Sequence, residues 1–266
     1  MRFVAPARDA VPPSTFDHPG FARLVAHRDL LAAREWPTLD ALNARLGERS
    51  HPRTGVPLRF VAQDDALLDD GRHYEERIAR TGAIATRERS WHDLLNALAW
   101  IEHTALKAAL NVRQADDVAA VGPRERTRGQ CALTHFDEAG AIVLLRDRAA
   151  IAAWDAHAWE AFFARPQPDV LVFGHAVHEH ALYGDAWLVA KGIAVVGDAL
   201  IEDVADAIAS GELLDDPLSL RPFPLCGLRG WHSRREEPDF FATAPCFRPL
   251  REGRRYPAPY ETSTTT

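Results

Sequence analysis

The stretch Trp91–Asn111, WHDLLNALAWIEHTALKAALN, constrains the fold more than any other part of the chain. Trp91, Leu94, Leu95, Leu98, Ile101, Ala105 and Ala109 recur at the spacing of one helix face, and so broad an apolar stripe must be covered by a second layer. Ser90 is the natural N-cap, with Asp93 as an acidic partner in the first turn. The opposite side is the unusual one. His92, Asp93, Asn96, Trp100, His103, Lys107 and Asn111 fall within an arc of about 100° on the helical wheel, where Glu and Lys would ordinarily solvate the helix. Imidazole and carboxamide groups cost more to bury than leucine, so several on one stripe need partners or a purpose. Two readings follow: a half-buried face satisfied by neighbouring loops, or the floor of a site.

The rest of the chain supplies the layers. Residues 1–20, rich in proline and polar groups, read as an extended arm. Thr38 caps a helix that Gly47 stops. VPLRFVAQ alternates as a strand, and HYEERIARTG is a short helix closed by Gly82. Residues 112–129 read as a polar loop carrying a basic patch of Arg113, Arg124, Arg126 and Arg128. QCALTHFDEAGAIVLL reads as a β-hairpin turning at Glu138-Ala139-Gly140. DRAAIAAWDAHAWEAFFARP reads as a second amphipathic helix, DVLVFG as a buried strand, HAVHEHALYG as a helix closed by Gly184, AWLVAKGIAVVG as containing a strand, and DALIEDVADAIASGELL as a surface helix. Beyond Pro217 the chain should wrap over the body with little regular structure, and residues 261–266 should be a disordered tail. The expectation is one mixed domain over 21–260, α/β or α+β, with a central long amphipathic helix, a β-hairpin and a small sheet.

Composition narrows the function classes. The 266 residues are 47% hydrophobic and 26% charged, a globular balance. A formal net charge of −7 gives no general attraction to nucleic acid or anionic membrane. Cys131, Cys226 and Cys246 form no C-x-x-C pair, which argues against a disulfide framework or a thiolate zinc site. The start of the chain has no signal-peptide pattern, and the most apolar run is too short to span a bilayer, so a cytoplasmic protein is expected. Oligomeric state is left open.

Three clusters of imidazole and carboxylate stand at element ends: His92-Asp93, Asp137-Glu138, and His175 with Glu179 one turn later. HAVHEH is neither H-E-x-x-H nor H-x-x-E-H, and there is no nucleophile elbow, P-loop or dinucleotide fingerprint. The inventory suits a divalent metal bound by nitrogen and oxygen, or an acid/base pair. Gly174 reads as permitting a sharp strand-to-helix turn that sets His175 at the end of the sheet, and His178 and His180 read as surface residues.

Trp91, His92, Asp93, Asn96, Ala97, Trp100, Lys107, Leu110 and Asn111 form one motif. Leu133, Thr134, Phe136, Asp137, Glu138 and Gly140 form a second, and Phe173, Gly174, His175, Ala176 and Glu179 a third. Over about residues 74–250 this string resembles the bacterial family known as domain of unknown function 3025. Where that pattern has Phe-Pro, this chain has His103-Thr104, which would leave the long helix straighter here. The resemblance implies no activity. From residue types, the leading expectation is a metal-assisted hydrolase acting on a small polar or anionic substrate. His92, Asp137, His175 and Glu179 would be the metal ligands, and His92, Asp93, Glu138 and Lys107 the catalytic groups, Glu138 as general base. Arg87, Asn96, Trp100 and Asn111 would bind substrate. The rival is a non-catalytic protein whose polar helix face is a ligand pocket or a buried hydrogen-bond network.

Overall fold

The structure, a computed structural model, describes residues 4–122, 124–184, 186–197 and 199–261. Of the tail expected to be disordered, 262–266 lie outside the described residues. The N-terminal segment is not an extended arm. It coils through three 3-10 turns, Arg8–Ala10, Pro13–Asp17 and Pro19–His27, and buries Val11, Phe16, Phe21 and Leu24 in the core. Proline restricts φ but does not prevent a run of tight turns when apolar side chains anchor it.

Helices α1 (Arg28–Ala32) and α2 (Leu39–Leu46) follow, the second capped by Thr38 Oγ1 and ended at Gly47, whose φ is +66°. Strand β1 (Arg59–Ala62), the one-turn α3 (Asp65–Leu68), α4 (Tyr74–Thr81) and β2 (Ala83–Thr86) form a small unit in which β1 and β2 pair in parallel. Gly82 closes α4 with φ +68°, and a Cβ there would meet the Pro57 carbonyl at 2.0 Å.

The expected long helix is two. Helix α5 runs Trp91–Glu102 and α6 runs Thr104–Val121, with His103 between them at φ −129°, ψ 45°. Thr104 begins α6, and its hydroxyl donates to the Trp100 carbonyl at 2.7 Å. Helix α6 also continues through most of the segment expected to be a loop.

The hairpin is likewise replaced. Residues Arg128–Ala139 form helix α7, and only Gly140–Leu145 is strand β3. Thr127 and Gln130 make a reciprocal capping box, with bonds of 2.9 and 2.8 Å, which starts the helix. Ala132, Leu133 and Phe136 pack from one face of it. The second amphipathic helix is broken into α8 (Ala149–Asp155) and α9 (Trp159–Phe163), with His157 between them in the left-handed region at φ +53°.

Strands β4 (Asp169–Val172), β5 (Val189–Val196), β6 (Arg221–Pro224) and β7 (Tyr260–Glu261) complete a sheet of order β4-β3-β5-β6, with β7 parallel to the end of β5. Strand β3 is antiparallel to β4 and parallel to β5. Helix α10 (His175–Ala181) follows β4, α11 (Ile201–Ser210) packs on α6, and α12 (Phe240–Thr243) lies in the C-terminal wrap. Both faces of the sheet are covered. Ala141, Val143, Ala194 and Val196 join one cluster with Trp91, Trp154 and Phe223, while Ile142, Ile193 and Val195 join another with Leu110, Phe136 and Ile208. That alternation is the strand period of two applied to a sheet buried on both sides. The fold class is therefore mixed α/β. No helix among the described residues is long and apolar enough to cross a membrane.

Candidate functional site

Three elements converge where β4 ends and β3 begins. His92 stands in the first turn of α5, Glu138 in the last turn of α7, and His175 opens α10 directly after Gly174. The amides of Phe173 and Gly174 both donate to the Gly140 carbonyl at 2.9 Å, binding the end of β4 to the end of α7. Gly174 is needed for closeness rather than for an unusual φ, which is an ordinary −64°. A Cβ at that position would lie 2.4 Å from Ala139 Cα and 2.5 Å from the Glu138 carbonyl oxygen.

The resulting geometry is compact. His92 Nε2 lies 3.1 Å from His175 Nε2, and Glu138 Oε2 lies 3.8 Å from the first and 3.6 Å from the second. Two imidazole nitrogens facing each other at this distance cannot both present lone pairs; a proton or a cation must lie between them. Asp93 sits behind His92, its Oδ1 3.0 Å from Nδ1. The same carboxylate accepts from Arg87 Nε and Nη2, both at 2.9 Å, and from the Arg87 amide at 2.6 Å. Burial opposes ionisation of Asp93, but these bonds from His92 and Arg87 outweigh it and hold its carboxyl well below the usual range.

The two imidazoles are driven apart in basicity. Hydrogen bonding to Asp93 and then Glu138 pushes His92 up to about 9. Burial pushes His175 down to about 4, although Asp137 and Glu138 work against it. Glu138 is lowered, chiefly by its interaction with His92. In the absence of a cation, His92 is thus the imidazolium that donates from Nε2, and neutral His175 accepts and keeps its proton on Nδ1. That atom is buried without a hydrogen-bond partner among the described residues.

The remaining expected site residues separate into three environments. Lys107 is no exposed anion grip: its side chain is 4% exposed, and Nζ donates to Asn96 Oδ1 at 2.7 Å and Asp137 Oδ1 at 2.6 Å. Asp137 is therefore committed to an ammonium, and the carboxylate beside the two imidazoles is that of Glu138. Asn96 also donates to the Tyr74 hydroxyl at 3.3 Å; of the three residues expected to line a floor, Lys107 is buried while His92 and Asn96 are half-buried. Trp100 is core, with the Lys107 ammonium 5.5 Å from its ring. Asn111 belongs elsewhere: it donates to Glu75 Oε2 at 2.6 Å, and His51 Nε2 meets its Oδ1 at 3.0 Å. The break at His103 turns α6 away from the α5 wheel and breaks the continuous stripe. Glu179 is 9% exposed, lies in the field of His92, Glu138, Asp93 and Arg87, and has its pKa raised by burial.

Sequence reasoning missed the Glu75 network entirely. Glu75 and His51 lie in different segments from Asn111 and carry no shared motif. It also misjudged His178, which is buried at 7% exposure and lowered to about 4 by that burial. Of the basic patch, Arg113 bonds Asp215 at 2.7 Å and Arg128 bonds Asp216 at 2.7–3.0 Å, which are structural ties.

No curated protein and no solved structure matches the chain. The sequence model of one family, described as a protein of unknown function, does match, over residues 58–251, and that span contains His92, Glu138 and His175 together with their supports Asp93, Lys107 and Asp137. With well over half of its length inside that match, the chain belongs to the family DUF3025.

Proposed function

We propose that His92, Glu138 and His175 hold one divalent cation and that the protein is a metal-dependent hydrolase of a small anionic substrate. The observation that carries this reading is the triangle of ligand atoms. With sides of 3.1, 3.6 and 3.8 Å, it has a centre about 2.0 Å from each atom, the bond length of zinc to imidazole nitrogen or carboxylate oxygen. These are the three groups among the described residues whose donor atoms cluster tightly enough to share an ion. Asp93 on the far nitrogen of His92 is the outer partner that orients a metal-bound imidazole. Three protein ligands with His92 and Glu138 partly exposed, at 34% and 44% of their side chains, fit a catalytic centre that keeps an open position.

The cation would act as a Lewis acid toward an ester, amide or phosphoester oxygen and toward water. Glu179, near the trio and raised by burial, suits the general base that takes the water proton. Arg87, 56% exposed beside Asp93, suits recognition of an anionic group on the substrate. This revises Glu138 from base to ligand, and Asp137 and Glu179 from ligands to a support and a base.

The test is metal titration of chelator-treated protein with cobalt(II) or zinc. One equivalent should bind, and His175→Ala and Glu138→Gln should each weaken binding at least tenfold while the metal-free variants keep their fold. Absence of one-to-one binding, or unchanged affinity in both variants, would leave the His92–His175 contact as a shared proton and the cluster as architecture.

A further inference from the structure

At the opposite end of β4 from the trio, residues 163–168 and the segment 227–235 enclose a cavity of about 150 Å³, roughly the share of five waters in the liquid. Its wall carries Arg165, Arg229 and Arg235 and no carboxylate. The two segments meet at one edge of the cavity, where a Cβ on Gly227 would fall 2.4 Å from the Phe163 ring.

The charges are partly preorganised. Arg235 donates through Nε to the Gly227 carbonyl at 2.9 Å, lies 5.1 Å from the Phe241 ring centre, and is 12% exposed. Its Nη1 reaches Glu236 at 3.3 Å, and Nη2 has no hydrogen-bond partner among the described residues. Arg165 is steadied through Nη1 by Asp147. Gln167 Oε1, the one side-chain acceptor in the wall, accepts from the Arg229 amide at 3.1 Å. The Arg229 guanidinium itself has no partner among the described residues. The wall therefore carries three arginines, two of them also tied to Asp147 and Glu236, and no carboxylate of its own.

We propose that this cavity binds a phosphate group, either as the free ion or as the head of a small phosphomonoester. A carboxylate has two oxygens for one guanidinium fork. Three arginines lining a space this small match the several oxygens of a tetrahedral oxyanion. The site is separate from the metal centre and does not depend on it.

The experiment uses metal-free full-length protein, so that phosphate cannot bind through a cation at the trio. Binding of inorganic phosphate and of glycerol phosphate is followed by calorimetry at constant ionic strength. One-to-one binding of either, weakened at least tenfold in Arg229→Ala and again by added salt, is the expected result. Binding of both identifies the phosphate group as the determinant; binding of the ester alone identifies a metabolite head group. Arg229 is exposed, so its variant keeps the fold, and an unchanged melting temperature verifies this. No saturable binding of either probe at millimolar concentration, or binding indifferent to Arg229→Ala and Arg235→Ala, overturns the proposal.

Discussion

At the scale of single residues, Lys107 shows how a side chain's type and its task diverge. A lysine on a polar stripe invites an anion-binding role, yet its ammonium is enclosed and shared between Asn96 and Asp137. Removing one partner of an enclosed ion pair strands the other, which costs far more than the pair contributes over an apolar substitute. Lys107→Met should therefore destabilise the metal-free protein by about 3 kcal/mol in urea unfolding. Adding Asp137→Asn should recover a large part of that loss, because the stranded charge is gone. A single-variant loss well under 1 kcal/mol would mean that water screens Asp137, whose side chain is 20% exposed.

At the scale of elements, the site depends on how tightly α10 abuts the end of α7. Gly174 has nothing to spare: the backbone of Glu138, Ala139 and Gly140 fills the space a methyl group would need. Gly174→Ala must push the start of α10 away from α7. Overpacking of this kind costs about 2 kcal/mol. Because His175 rides on one element and Glu138 on the other, the same change should also weaken cobalt binding with every ligand still present. Normal metal affinity in a destabilised Gly174→Ala variant would show that the trio tolerates the shift and that this contact serves stability alone.

At the scale of the whole molecule, buried ionisable groups should shape stability across pH. His92 is raised in the fold to about 9 from 6.5, so its contribution is complete below pH 6.5 and is lost as pH rises toward 9. His175 and His178 are lowered to about 4, so theirs is present above pH 6.5 and is lost as pH falls toward 4. Glu75 is raised by burial to about 7 from 4.5, so it favours the fold below pH 4.5 and loses that contribution as pH rises through 7. Two histidines outweigh one glutamate on the acid side. The melting temperature of the metal-free protein should pass through a maximum near pH 6.5, with its alkaline decline flattened in His92→Gln. Glu75→Gln should steepen the rise between pH 5 and 7. A melting temperature that stays level from pH 6.5 to 9 in the unsubstituted chain would remove the imidazolium from the account of this site.

What the sequence determined by itself is local. Ser90 and Thr38 cap the helices expected of them, Gly47 and Gly82 stop theirs, and β4 is the apolar run before Gly174. Each depends on hydrogen bonds or sterics within about four residues, which a single chain segment contains. The Thr127–Gln130 capping box was equally legible, but the apolar run of β3 just beyond it made the whole stretch look like a hairpin. The residue types of the site were also legible, since His92, Glu138 and His175 all stand at element ends. Which of them meet was decided only by tertiary structure. His92 and His175 are 83 positions apart, and their contact exists because α5, α7 and α10 pack around one end of the sheet. The same packing bends the chain at His103, removes Asn111 to Glu75 and encloses Lys107. Helical periodicity places a side chain on a face, but whether that face meets water, a carboxylate or a second imidazole depends on elements that the segment itself does not contain.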